Sequence, residues 1–331
     1  MNQSDKKLKQ LEGEKIIVTG GDGFVGSHLV EKLVSLGADV TVLVRRNSFG
    51  TFRHLDYIKN KIRIVWTDTQ DLAKMIEVSK KTNIIYHLAA QSHVGYSLVN
   101  PYETVVNDII STLNILEAAR KNNVKRIVHA GSSEIYGKPI KVPIDEKHPL
   151  SPRSPYAAAK ASAENLLESY YHTYNLPIVM SRFFNIFGPR QGLDQAIPKF
   201  ILQALNNKNI TIYGDGKQTR DYTFVDDAVN AYCLLGITKG IEGKIYNFGS
   251  EKEITIKELA NNILKITKSK SKLKFDHNLR SGETPRLLSN SNKSKIQLKW
   301  TANTSLETGL EKTVDYFRGR KNLVTNLPFM T

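Results

Sequence analysis

Lys15-Ile-Ile-Val-Thr19-Gly20-Gly-Asp-Gly23-Phe-Val-Gly26 is a short apolar run that ends in a glycine-rich turn. Leu29, Val30, Leu33, Val34 and Leu36 then recur at helical spacing up to Gly37. Strand, turn and helix follow in that order. The glycines stand at G-x-x-G-x-x-G spacing. The first allows a tight turn out of the strand, the second lets a pyrophosphate approach the backbone, and the third permits close helix packing, with helix N–H groups aimed at the phosphates. Alone the trio is weak, because ligand-free glycine turns are common. Between the first strand and first helix of a βαβ pattern it gains force.

Outward from this stretch the strand signal repeats at residues 39–44, 62–66, 84–88, 126–130 and 177–183, with helix-length segments between, notably 101–121 and 155–174. Ser154 reads as an N-cap and Pro155 as the first helical residue of the latter. Strands alternating with helices predict a parallel sheet covered on both faces. The expected fold is α/β, a Rossmann-type doubly wound parallel sheet with a smaller mixed α/β C-terminal substrate domain. Gly-Pro, Gly-Asp-Gly and Ser-Gly-Glu punctuation loosens the pattern beyond Asn185. The expected division is a disordered lead-in over 1–14, a dinucleotide-binding domain over 15–185 with a return at 226–249, a substrate domain from 186–225 and 250–320, and a tail over 321–331.

At 331 residues, 40% hydrophobic and 24% charged, the chain suits two subdomains around a large core. No apolar run reaches the ~18 residues that span a bilayer. The lysine-rich start, Met1 to Gln10, lacks the apolar stretch of a secretory signal. No membrane partner is expected. The single cysteine, Cys233, excludes an internal disulfide and a thiolate metal cluster, and it fits a cytoplasmic setting. Eight histidines without H-x-x-x-H or H-E-x-x-H spacing give no metal site. A formal charge of +15 invites a nucleic-acid reading. The excess lysines lack interleaved aromatic residues, so no nucleic-acid partner is expected. A basic cleft equally attracts diphosphates.

Tyr156-Ala-Ala-Ala-Lys160 sets a phenol and an ammonium one turn apart on one helix face. A tyrosine hydroxyl titrates near pH ~10. A cation beside it favours the phenolate, so the pair is expected to act as a base toward an alcohol near neutrality. Cofactor selectivity is read at the end of the second strand, where a carboxylate would bond a ribose 2′-hydroxyl and an arginine a 2′-phosphate. Val44-Arg45-Arg46-Asn47 carries no carboxylate and two guanidiniums. This leans the NAD(P) cofactor to NADP(H) over NAD(H), although such arginines also serve subunit contacts. Asp68, with Thr69 beside it, is placed to hold the adenine amino group.

With these features the chain resembles the extended short-chain dehydrogenase/reductases, the nucleotide-sugar epimerase/dehydratase family, from about Lys15 to Phe317. His87-Leu88-Ala89-Ala90, Asn107, Gly131-Ser132-Ser133-Glu134-Ile-Tyr-Gly137, Arg182-Phe-Phe-Asn185-Ile-Phe-Gly-Pro-Arg190, Arg220-Asp-Tyr-Thr-Phe-Val-Asp-Asp227 and Arg280-Ser-Gly-Glu283 follow in the family's order. The resemblance implies a cofactor site at Gly20, Gly23, Phe24, Val25, Gly26, Arg45, Arg46, Asp68, Thr69, Leu88, Ala89, Ala90 and Asn107. Tyr156 would remove the proton from the sugar 4-hydroxyl, which Ser132 would bond, with Ser133 beside it. Lys160 would hold the nicotinamide ribose and lower the tyrosine pKa, with Asn107 supporting it. Gln91, Ser92, His93, Asn185, Arg190, Lys199, Tyr213, Arg220, Arg280 and Glu283 would meet the nucleotide-diphospho-sugar, with Arg220 and Arg280 clamping the diphosphate. His93 by itself reads more often as a hydrogen-bonded structural residue.

Glu134 bears on reaction type. Once C4 is a ketone the C5 proton is acidic, and a neighbouring carboxylate can take it while the 6-hydroxyl departs. Ser132-Ser133-Glu134 resembles the Thr-Ser-Glu of GDP-mannose 4,6-dehydratases and UDP-glucuronate decarboxylases. The expected function is 4,6-dehydration of a GDP-, UDP- or dTDP-linked sugar, GDP first. C4 epimerisation, decarboxylation and 4-keto reduction stand as alternatives, and a non-catalytic dinucleotide- or RNA-binding protein as the non-enzyme one. The resemblance also implies a homodimer through the helices at 101–121 and 155–174, with a tetramer left open.

Overall fold

The structure is a computed structural model that describes residues 7–45, 53–276 and 284–320. In chain order its first half contains β1 (Lys15–Thr19), α1 (Phe24–Ser35), β2 (Asp39–Val44), β3 (Arg63–Trp66), α2 (Leu72–Val78), β4 (Ile84–His87), α3 (Val94–Val99), α4 (Pro101–Asn122), β5 (Arg126–Ser132), α5 (Pro155–Tyr174) and β6 (Ile178–Phe183). There follow β7 (Ile186–Phe187), α6 (Ala196–Leu205), β8 (Ile210–Tyr213), β9 (Thr219–Asp221), β10 (Thr223–Phe224), α7 (Val225–Ile237) and β11 (Ile245–Phe248). The last are β12 (Glu253–Thr255), α8 (Ile256–Thr267), β13 (Leu273–Asp276), α9 (Asn292–Leu298) and α10 (Leu306–Arg318).

Seven strands form one sheet in the order β11-β6-β5-β4-β1-β2-β3, every neighbouring pair parallel. Alternate side chains serve opposite faces. Val18, Tyr86, Val128 and Val179 pack with Leu29 and Leu33 of α1 and Leu235 of α7. Ile17, Ile85, Ile127 and Ile178 pack with Ile115 and Leu116 of α4 and Leu167 of α5. Both faces are thus covered, and every residue of β4 and β6 is buried.

The C-terminal elements make two-stranded pairs: β7 with β10 and β8 with β13, both parallel, and β9 with β12, antiparallel. Helices α6, α8 and α10 cover them. The expected lead-in over 1–14 is ordered from Lys7 onward. Leu8 and Leu11 stand three apart on a helical turn and are buried in the core, and Lys7 Nζ donates to Thr238 Oγ1 at 3.1 Å. Two leucines in a polar stretch suffice to dock it.

Candidate active site

β1 and β4 are neighbours, yet the chain leaves them toward opposite edges of the sheet, which opens a crevice beyond their carboxyl ends. Gly20 turns there with φ +65°, and a Cβ on it would lie 2.9 Å from the Ala89 nitrogen. A Cβ on Gly26 would lie 2.2 Å from the Gly20 carbonyl oxygen, so α1 can approach the turn only with glycine at this place. Gly23 precedes α1 without a side-chain cap, which leaves the first-turn N–H groups of Phe24, Val25 and Gly26 uncapped by any side chain. Asp22 is satisfied elsewhere: its carboxylate accepts the N–H groups of Arg53 at 2.7 Å and His54 at 2.9 Å. The cradle fits a dinucleotide diphosphate in both shape and sign.

Thr19 fixes the opposite wall. Its Oγ1 accepts the N–H groups of Leu88 at 3.1 Å and Ala89 at 2.9 Å and meets His87 Nδ1 at 2.9 Å. His87 Nε2 lies 3.2 Å from Thr112 Oγ1, which donates its one proton to the Asp108 carbonyl at 2.7 Å. Nε2 therefore carries the hydrogen and Nδ1 accepts from Thr19. Burial, then the charge of Lys160, pushes this imidazole down to about 3, so it is neutral. Ala90 continues this wall as a partly buried residue.

A cavity of about 560 Å³ beyond β2 and β3 is lined by Arg45, Trp66, Thr67, Asp68, Asp71 and Lys74. Asp68 accepts the Gln70 N–H at 2.9 Å. Thr69 bonds Ser111 side chain to side chain at 2.7 Å, and its carbonyl accepts from Asn114 at 3.0 Å. Asn107 accepts from the Gln70 side chain rather than supporting Lys160, because it lies on the rim of α4 and its neighbour Asp108 faces inward. Arg46 lies outside the described residues.

β5 delivers Ser132, and the one-turn helix Ser133–Tyr136 delivers Glu134, whose N–H donates to Ser132 Oγ at 3.2 Å. Ser133 is buried at the start of that turn. Ser154 caps α5 by accepting the Ala157 N–H at 3.1 Å, so Tyr156 and Lys160 occupy its first turns. Burial pushes the Tyr156 hydroxyl above its usual range. A hydrogen bond from Ser132 opposes this, and the charges of Asp108 and Glu134 add to it. The expected lowering by Lys160 is not what this arrangement provides. Lys160 Nζ donates to the Ala130 carbonyl of β5 at 3.1 Å and stands 3.8 Å from Asp108 Oδ2 of α4, so its charge is engaged between β5 and α4. Further along α5, Glu164 receives Arg182 of β6 in a buried fork, with Arg182 Nη2 at 2.6 Å. Arg182 also donates to Tyr136 at 2.9 Å, which donates to Asn247 of β11 at 2.7 Å.

The residues assigned to substrate come from several separate segments. Gln91 donates its N–H to Asp108 Oδ1 at 2.8 Å, and Ser92 is exposed beside it. His93 is engaged at both nitrogens: Nδ1 accepts the Tyr96 N–H at 2.9 Å as the N-cap of α3, and Nε2 faces Asp194 at 3.2 Å. Asn185 has a buried side-chain oxygen without a hydrogen-bond partner. Arg190 turns toward α1, where it meets Glu31 at 2.5 Å and Ser27 at 3.1 Å. Lys199 Nζ lies over the Tyr213 ring at 5.2 Å. Arg220 stands on β9, paired opposite Ile254, and donates to the Thr219 carbonyl at 2.8 Å. Arg280 and Glu283 lie outside the described residues.

Sequence reasoning missed Asp108 and Thr19. An acid among Thr104, Ser111, Thr112 and Ile115 on the buried stripe of α4 was the available signal for the first. No pattern marks the second.

A glycine cradle at the strand switch, with serine, tyrosine and lysine converging beyond β5, defines an extended short-chain dehydrogenase/reductase. Residues 17–313 match the family model described as GDP-mannose 4,6 dehydratase, and the chain belongs to this family of nucleotide-sugar 4,6-dehydratases and epimerases. A dTDP-D-glucose 4,6-dehydratase of Homo sapiens is 31% identical over 92% of this chain and 90% of its own. DesIV, a dTDP-glucose 4,6-dehydratase from Streptomyces venezuelae with NAD and TYD bound, superposes with TM-score 0.88 at 29% identity, over 93% of this chain and 98% of that one. A UDP-glucose 4-epimerase with UDP-glucose from Thermotoga maritima superposes with TM-score 0.87 at 32% identity, over 92% and 99%. The chain is an enzyme that acts on nucleotide sugars as a 4,6-dehydratase or epimerase.

Proposed function

We propose that the chain is a 4,6-dehydratase of a nucleotide-linked hexose. The observation that carries dehydration over epimerisation is Glu134, a carboxylate on the turn directly after Ser132 that acts electrostatically on Tyr156. The N–H groups at Phe24 to Gly26 would hold the cofactor diphosphate, Arg45 and Asp68 its adenosine end, and Lys160 its nicotinamide ribose. A nicotinamide held there supplies the acceptor and later the donor of hydride, so no net redox is needed. Tyr156 takes the proton of the C4 hydroxyl, which Ser132 steadies. The resulting C4 ketone acidifies C5; Glu134 removes that proton and passes it to the departing 6-hydroxyl, which leaves as water. The double bond left between C5 and C6 is then reduced by the returning hydride at C6 and a solvent proton at C5. Arg220 supports binding of the substrate diphosphate through its charge. Arg45 supports NADP(H) and the NAD of DesIV supports NAD(H), so both cofactors are assayed.

The test offers dTDP-glucose, GDP-mannose and UDP-glucose and looks for a 4-keto-6-deoxy product. Glu134→Gln is expected to lower product formation by about 10²–10⁴-fold, while reduced nicotinamide still accumulates in a single turnover. Unimpaired turnover would remove Glu134 from the role of base. Tyr102 on α4 and Tyr174 at the end of α5, 81% and 49% exposed, support a homodimer across these helices, which light scattering checks. Residues 186–225 and 250–320 are proposed as the substrate half.

A further inference from the structure

Behind Tyr156 lies a group of buried ionisable side chains that the chemistry above leaves unused: Asp108 of α4, His87 of β4 and His129 of β5. The side chains of Asp108 and Lys160 are 1% and 5% exposed, and their charged atoms stand 3.8 Å apart. Asp108 Oδ1 accepts the Gln91 N–H, whereas Oδ2, the oxygen facing Lys160, has no hydrogen-bond partner. Burial holds the Asp108 carboxyl above its usual range, and the charge of Lys160, then the Gln91 N–H, oppose this in part. The histidines do not compete for the role. Burial first, then Lys160, holds both neutral, and neither ring nitrogen of His129 has a hydrogen-bond partner.

We propose that Asp108 is a positioning residue for the tyrosine–lysine pair: its carboxylate holds the Lys160 ammonium on the α4 side, and its charge sets the pH at which Tyr156 releases its proton. An ammonium has three donors. The Ala130 carbonyl takes one of them, and Asp108, too distant for a hydrogen bond, draws the ammonium by its charge alone. The Gln91 contact ties the same carboxylate to the loop after β4, so the lysine and that wall of the crevice share one anchor. The proposal deepens the dehydratase reading and rests on Tyr156 acting there as base.

The sign follows from the charges. The charge of Asp108 opposes the phenolate, so its neutralisation lowers the pH at which Tyr156 ionises. Tyr156 is also faced by Ser132 of β5, Glu134 of the following turn and Tyr232 of α7. Lys160 is felt by His87, His129 and, on its own helix, Glu164, which Arg182 already neutralises. Asp108→Asn leaves all of these in place and keeps an acceptor for Gln91.

The experiment labels tyrosine with carbon-13 at the hydroxyl-bearing ring carbon in the full chain saturated with NAD. The Tyr156 signal is identified by its loss in Tyr156→Phe. In Asp108→Asn the Tyr156 midpoint is expected about one pH unit lower than in the wild type. The acid limb of kcat/KM for the best nucleotide sugar should move with it, and Asp108→Glu should return both toward wild type. An equal midpoint in the two proteins, titration in neither, or a fall in kcat/KM that is uniform across pH overturns the proposal. If the wild type converts no nucleotide sugar, the dehydratase reading fails while the tyrosine titration still decides this one. Asp108→Ser, neutral and able to accept from Gln91, serves if the asparagine variant does not fold.

Discussion

Strands β1, β2 and β4 are held in register by their own backbone ladders, whereas around β9 the chain is gathered by one carboxylate. Asp221, fully buried, accepts the N–H groups of Ser250 at 2.7 Å, Glu251 at 3.1 Å and Ser289 at 3.1 Å, and the Ser250 hydroxyl at 2.6 Å. Asp227 does the same on a smaller scale, accepting the N–H groups of Asn303 and Thr304. A seven-stranded sheet distributes its cohesion over many equivalent backbone bonds. Two-stranded pairs have too few ladder bonds for that. Their segments depend on individual acids that serve as surrogate strands.

This contrast can be broken in order of expected effect. Tyr156→Phe, on the sheet half, should lower turnover by about 10³-fold, or ~4 kcal/mol of barrier, with an unchanged melting temperature. A large loss of stability instead would mean that the sheet half also leans on single polar groups. Asp221→Ala, on the other half, should cost roughly 3 kcal/mol of stability in chemical denaturation, because one buried and two partly buried N–H donors lose their acceptor at once. A loss below ~1 kcal/mol would show that the ribbons stand without it.

The smallest effect is expected from Glu253 and Arg286, a partly exposed fork at 2.7 Å. The Arg286 hydrogen bonds hold the Glu253 carboxyl below its usual range. A depressed carboxylate contributes above its unfolded value of ~4.3, and the contribution disappears as pH falls through the folded-state value. Solvent screening limits it to less than ~1 kcal/mol. Glu253→Gln should therefore narrow the acid-side stability difference between pH 6 and pH 3, as denaturation midpoints measure, by no more than about that amount.

The sheet was legible because its signals are periodic and local. Lys15–Thr19, Asp39–Val44 and the helix at Pro155–Tyr174 fall where apolar runs, Gly37 and the Ser154-Pro155 pair predict them. The tyrosine–lysine pair was legible because one helix carries both residues. What was not legible depends on residues distant in sequence. Asp108 and Lys160 lie on different helices and meet only across the α4–α5 contact, and nothing in 101–121 distinguishes Asp108 from a solvated acid except its stripe. Asn107, which the family resemblance implies, is its neighbour, and a one-residue shift on a helix turns a side chain through about 100°. The direction of the Tyr156 shift also escaped the sequence, because helical spacing says who is near and burial decides what the nearness is worth.

The late arrival of Ile245–Phe248 beside β6 carries a consequence for synthesis. A ribosome has released all of Ile178–Phe183, six buried residues, some sixty positions before the strand that caps this edge exists. Until then β6 presents an unpaired apolar border of the kind that recruits foreign strands. A nucleotide-binding half produced alone should therefore carry Val225–Phe248 fused behind β6 if it is to stay in solution.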